Sequence, residues 1–215
     1  MRSIDINGIK NMELVPGGTD EWYWGTDYIH GDLYEAEEFF REGHTVQSNR
    51  LYLIHYPDGI VYEPIPPVAG QYLGNPVYDE GTVVLLAVNF TQRVICISRF
   101  LHEQNKTEEL VYLPLSIVDD CYNLILHTTP LTLTQQQADN TFSIIWPEHV
   151  RFKIGNNEAL NFRDGNKLYF SAWYDEDELD YYEETHVRAI KDGAILEKFS
   201  GYISIMPNGE KWLIK

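Results

Sequence analysis

Apolar positions along this chain recur in short runs separated by turn residues, and few of the runs keep a helical spacing. The clearest unit is a hairpin. Residues 51–56 and 60–63 flank Pro57-Asp58-Gly59, a turn in which Gly59 supplies the positive φ. Pro64, Pro66 and Pro67 close it, since proline cannot donate to a strand ladder. Residues 83–88 and 93–98 form a second hairpin around 89–92, and both arms are nearly continuous apolar runs, as expected of strands covered on both faces. Residues 150–154 and 159–162 flank Gly155-Asn156-Asn157, a third hairpin signal. Shorter strands are expected at 12–15, 22–24, 110–115, 121–127, 131–134 and 142–146, with 70–81 a loop holding one short strand near 77–78 and 101–109 a polar excursion. Beyond residue 167 come strands at 168–173, 181–190, 195–199, 202–206 and 212–214, with turns at Asp192-Gly193 and Pro207-Asn208-Gly209. Roughly fifteen strands at spacings of about 8–14 residues describe an all-β sandwich, barrel or propeller. Residues 1–11 are polar and expected to be loosely held, and 12–215 to form a single all-β domain.

One stretch resists this reading. In 33–40, Asp32 followed by Glu35 has the form of a capping box, Leu33, Ala36 and Phe40 fall on one helical face, and Gly43 supplies a stop. Yet the segment has an echo. Asp32-Leu33-Tyr34-Glu35 returns as Asp180-Tyr181-Tyr182-Glu183, each with an aromatic strand upstream (Trp22 to Trp24; Tyr169 and Phe170) and an acid–glycine turn downstream (Glu42-Gly43; Asp192-Gly193). Residues 181–190 alternate like a strand, so the echo predicts a strand at 33–40 against local helix propensity.

The offset of about 148 residues divides into four units of about 37, close to one four-stranded blade. The order of strand, polar turn, tyrosine-bearing strand, acid–glycine turn and strand resembles the blades of β-propeller proteins, without a Trp-Asp dipeptide or a kelch glycine pair to name a family. The resemblance implies a propeller-like fold of about five small blades; a β-sandwich or barrel is the alternative.

Composition narrows the partners. The 215 residues include 15 tyrosines, 9 phenylalanines and 5 tryptophans, which suits half-buried pleated surfaces. The formal net charge is −17, a field that repels phosphate backbones and anionic lipid, so nucleic acid and membrane are excluded as partners and a protein or a neutral carbohydrate is expected. Cys96 and Cys121 form no Cys-x-x-Cys pair, which reads as free thiols in a reducing compartment. The N-terminus lacks an apolar core of the signal-peptide kind, and 83–88, the longest apolar run, is too short to cross a bilayer. A cytoplasmic location is the expectation.

Candidate chemistry is sparse. Asp27, His30, Asp32 and Glu35 offer an imidazole and carboxylates for a metal, or for acid–base work at a glycosidic bond, with Trp22 and Trp24 near enough in sequence to stack on a sugar. The plainer account is a solvated acidic turn beside a core strand. The run from Asp175 to Asp180 starts like a calcium loop, but Asp180 stands where the glycine belongs and His186 where the bidentate glutamate belongs. His55, His127 and His186 sit in or at the ends of strands, where a histidine is usually structural, and His102-Glu103 lacks a second histidine. There is no nucleophile elbow, Walker loop or dinucleotide fingerprint. No catalytic residue, metal or cofactor is assigned. The residues expected to bind are Trp22, Trp24, Asp27, His30, Asp32, Glu35, Trp173, Tyr174, Asp180 and Tyr182. They suggest a non-enzymatic binding or interaction protein using acidic, aromatic-rich turns. The alternative is a carbohydrate-active enzyme of glycoside hydrolase type with carboxylates paired from Asp27, Asp32, Glu35 and Asp180.

Overall fold

Most strands pair with their sequence neighbours, because short turns allow little but an antiparallel return. The computed structural model describes residues 2–175, 181–206 and 209–215. The fold is all-β, with 50% strand and 7% helix, and the chain divides into two compact units, Met1–Leu126 and His127–Lys215.

In the first unit β1 (Glu13–Leu14), β2 (Trp22–Thr26), β3 (Leu51–His55) and β4 (Val61–Tyr62) form one meander in that order. The Pro57-Asp58-Gly59 turn forms as expected, with Gly59 at φ 71 and its N–H bonded to His55 O at 2.7 Å. The second sheet has the order β5 (Gln71–Leu73), β7 (Thr82–Asn89), β8 (Val94–Leu101), β9 (Lys106–Pro114), and β6 (Val77–Asp79) also pairs with β7. Almost every residue of β7 is buried, so both its faces are covered. Strand β9 starts inside the expected polar excursion: Lys106 pairs with Leu101, and the polar residues 106–109 lie on an edge strand with much of its surface in solvent. The two sheets share one core, with Trp22, Trp24, Leu51 and Leu53 from the first against Val83, Leu85, Ala87 and Phe100 from the second. Each such large apolar side chain contributes roughly 1.5–3 kcal/mol on burial.

Residues 33–40 are a correction. They belong to helix α1 (Leu33–Arg41) and not to a strand. Asp32 accepts from Glu35 N at 2.9 Å and Glu35 accepts from Asp32 N at 2.9 Å, the reciprocal capping box. Leu33, Ala36 and Glu37 turn inward. Glu37 accepts Cys121 N–H at 2.6 Å and pairs with Arg41 at 2.8 Å, and Arg41 also donates to Asp119 O, so the helix is clipped to 119–121. Gly43, at φ 89, ends it. The echo fails because its halves differ in context. Trp22 and Phe170 each lie on the second strand of a sheet, but 33–41 is an insertion before the third strand, whereas 181–189 is itself a third strand.

The boundary between the units falls within β10 (Leu124–His127). In the second unit β11 (Thr132–Gln136), β12 (Thr141–Trp146) and β13 (Val150–Lys153) run in order, followed by the sheet β14 (Glu158–Asp164), β15 (Lys167–Asp175), β16 (Tyr181–Ala189) and β17 (Ile195–Ser200). Phe142, Ile144, Leu168 and Phe170 join these two sheets in a second core. The expected hairpin at 150–162 is not formed: β13 pairs with β12 and β14 with β15, so Gly155-Asn156-Asn157 carries the chain from one sheet to the next. At this crossing the Glu158 carboxylate is buried and takes the Gly155 N–H. A ribbon of β18 (Tyr202–Ile205) and β19 (Lys211–Ile214) completes the described chain. Successive small antiparallel meanders of this kind are propeller-like blades, and they number four among the described residues and not about five.

Candidate functional site

The first group of expected site residues is largely occupied in holding the fold. Trp22 and Trp24 are 4% and 3% exposed. Trp22 lies 4.7 Å from the His55 ring and edge-on to Phe100, so neither indole offers a free face to a sugar. Asp27 accepts Arg50 N–H at 3.1 Å. His30 accepts Gln47 N–H at its Nε2 and stacks on Phe39 at 4.6 Å. Tyr72 receives His30 N–H at 3.2 Å and donates to Gly31 O at 2.7 Å; burial pushes its phenol up to about 12. Asp32 and Glu35 are the capping box. Of these residues, Trp24 and Asp27 line a cavity of about 290 Å³ between residues 8–11 and β2, with Lys10, Asn11 and Tyr28, while Trp22, His30, Asp32 and Glu35 lie outside it.

Among the other histidines, His55 meets Asp58 at 2.7 Å within its own turn. The Asp58 carboxyl is held below its ordinary value, first by Ile60 N–H and then by His55.

The second group lies at the free end of β15 and β16. Register fixes its neighbours: Trp173 is opposite Glu183, Tyr174 opposite Tyr182, and Asp175 opposite Tyr181. Because side chains alternate, Trp173, Asp175, Tyr181 and Glu183 share one face, while Tyr174 and Tyr182 share the other. Trp173, Tyr181 and Tyr182 are 41%, 61% and 45% exposed. The Tyr174 and Tyr182 rings stack at 4.7 Å with their planes 10° apart. Asp180 lies outside the described residues, as do the acids at 176–178.

Sequence reasoning missed the charge network beneath these rings. Glu158 is 1% exposed, and Arg188 grips it with Nη2 at 2.7 Å from Oε2 and 3.0 Å from Oε1. A third bond, from Arg188 Nε, reaches Oε1 at 3.2 Å, and Nη1 donates to Gly193 O at 2.6 Å. His186 Nδ1 meets Glu158 Oε1 at 2.5 Å, and its Nε2 meets Glu184 Oε2 at 2.9 Å. Tyr174 donates to Glu184 at 3.3 Å and lies 3.4 Å from His186 Nε2. Burial raises the Glu158 carboxyl, but Arg188, Gly155 N–H and His186 outweigh it and hold the pKa below the ordinary value. His186 chiefly does the same for Glu184. The chain of bonds thus runs from a fully buried carboxylate to the half-buried Tyr174. One signal was readable: Arg188 and Glu158 interrupt otherwise inward-facing strand positions. Their pairing, 30 residues apart, depends on the register of three strands.

Among the described residues no group of three or more His, Cys, Asp or Glu is placed to hold a metal ion, and no helix is long and apolar enough to cross a membrane. No family model matches the sequence, and no curated protein is significantly similar to it.

Proposed function

We propose that the chain is a non-catalytic binding protein whose recognition face is the free end of β15 and β16 and whose partner is a basic protein segment. The observation that carries this is the alternation of ring and carboxylate on one face, with Trp173 opposite Glu183 and Tyr181 opposite Asp175. An arginine laid there finds a π face and a carboxylate together, and its planar guanidinium serves both. The −17 net charge draws a cationic partner from a distance. The buried network stiffens the same strands from below, which lowers the ordering cost of binding. Exposed Ile195, Leu196 and Trp212 extend apolar surface within the same unit. The free thiols Cys96 and Cys121 suit a reducing compartment such as the cytoplasm. A glycosidic acid–base pair draws no support from Asp32 and Glu35, which bond to each other's backbone.

The test is fluorescence anisotropy with a labelled peptide of alternating arginine and glycine, titrated with the full chain. Binding weakens as salt rises. Trp173→Ala and Tyr181→Ala each lower affinity by about two- to five-fold, the worth of an exposed cation–π contact. Equal binding of an acidic peptide of the same length, or unchanged affinity in both variants, sinks the proposal.

A further inference from the structure

Residues 44–50 join α1 to β3 without regular structure, and they serve the edge of β5. Val46, 0% exposed, accepts Gly70 N–H at 2.8 Å. The buried Asn49 side chain takes both backbone bonds of Leu73, accepting its N–H at 2.7 Å and donating to its O at 2.9 Å. Cover of this kind keeps an edge strand from pairing with another chain. A further tie comes from outside the connection: Gln47 N–H donates to His30 Nε2 at 3.1 Å.

That last bond constrains the chemistry of the ring. A backbone N–H only donates, so the ring nitrogen that accepts it carries no proton, and His30 holds Gln47 as a neutral imidazole. The surroundings of the ring impose no such limit. It stacks on Phe39 at 4.6 Å, and Phe39 stacks on His44 at 4.5 Å. Asp32 and Glu35, at the start of α1, and Asp27, after β2, act together on the Tyr72 phenol, which bonds the His30 backbone N–H and Gly31 O. His44 itself lies 3.8 Å from Glu42. An aromatic face and nearby carboxylates both favour an imidazolium, so the Gln47 bond is the contact that proton uptake breaks. His30 is half-buried, and solvent protons reach it.

We propose that His30 is a proton-operated latch: when its imidazole takes up a proton, residues 44–48 come away from the edge of β5. The protonated ring presents a donor to the Gln47 N–H, and two donors repel. Departure of Val46 then leaves Gly70 N–H open to a new partner. The latch lies in the first unit and does not depend on the recognition face of β15 and β16.

The experiment follows the full chain from about pH 8 to about pH 5, the range in which imidazole ordinarily titrates. Proton–carbon spectra, with His30 assigned by its loss in His30→Gln, give the titration of the ring. Amide hydrogen exchange, divided by the unfolded-chain rate at each pH, gives the protection of Gln47 and Gly70. Both fall about three- to tenfold, the worth of one hydrogen bond, and the midpoint coincides with that of the His30 ring. His30→Gln keeps a side-chain acceptor that does not titrate, so protection stays level; His30→Phe has no acceptor, so protection is low at both ends; His44→Gln leaves the fall in place. Level protection in the unaltered chain while His30 titrates overturns the proposal. So does a ring that stays neutral down to about pH 5, a loss at Gln47 with Gly70 unmoved, or a fall that persists in His30→Gln.

Discussion

Replacing Arg188 by methionine removes the guanidinium and keeps most of the volume. It leaves Glu158, 1% exposed, with only Gly155 N–H and His186 as partners. Three bonds at 2.7, 3.0 and 3.2 Å are lost. Orphaning one member of a buried ion pair costs about 3–5 kcal/mol, a large share of a total stability of about 5–15 kcal/mol. Glu158→Met is damaging for the mirror reason, since it strands Arg188 and His186. The double variant removes both charges, and replacing a buried pair by packed apolar groups is near neutral. His186 then lacks one partner, at about 1 kcal/mol, and keeps Glu184. The cycle therefore predicts a coupling of at least about 3 kcal/mol between the two sites. Urea unfolding measures it, followed by circular dichroism and tryptophan fluorescence. With a slope of about 1–3 kcal/mol per molar urea, the single variants lose about 1–5 M in midpoint for the transition of the second unit. An Arg188→Met cost below about 1 kcal/mol, or a double variant that is simply additive, refutes the view that these charges support one another.

Three further outcomes follow. The folded pKa values of Glu158 and Glu184 are depressed below the ordinary 4.5. Their stabilisation is therefore complete above that value and fades as pH falls through the depressed ones; Glu158→Met/Arg188→Met flattens the acid limb of a stability-against-pH curve, and an unaltered limb contradicts this. Asp32→Ala removes the cap of α1 and lowers stability by about 0.5–2 kcal/mol, read by thermal melting, with no loss if the capping box is idle. Burial, with the nearby Glu37 carboxylate, pushes the Cys121 thiol up, so at pH 8 it reacts with a disulfide reagent at least about tenfold more slowly than in urea; equal rates count against the buried placement.

Much of the fold was legible where local chemistry and tertiary context agree. The Pro57-Asp58-Gly59 hairpin, the doubly buried β7 and the tight turn at Gly193 all follow from turn residues and apolar runs. The error at 33–41 came from letting a repeat overrule a local signal. Asp32, Glu35 and Gly43 specified a helix, and a second Asp-x-Tyr-Glu elsewhere did not change what those side chains bond to. Gly155-Asn156-Asn157 misled in the other direction. Its composition permits a hairpin, but whether two strands pair depends on where Glu158 is buried, and that is settled by Arg188 from β16. The candidate site was legible in part for the same reason. Aromatic and acidic residues at 173–182 declare themselves in sequence, whereas ring facing carboxylate across two strands depends on register, and the burial of Trp22 and Trp24 depends on a second sheet.

Hydrogen exchange of the full chain, with and without saturating arginine–glycine peptide, tests the central claim most directly. A recognition face at the end of β15 and β16 predicts slowed exchange at 173–175 and 181–184, lost in Trp173→Ala/Tyr181→Ala. Protection confined to residues 2–126, or none at a peptide concentration that saturates anisotropy, contradicts it.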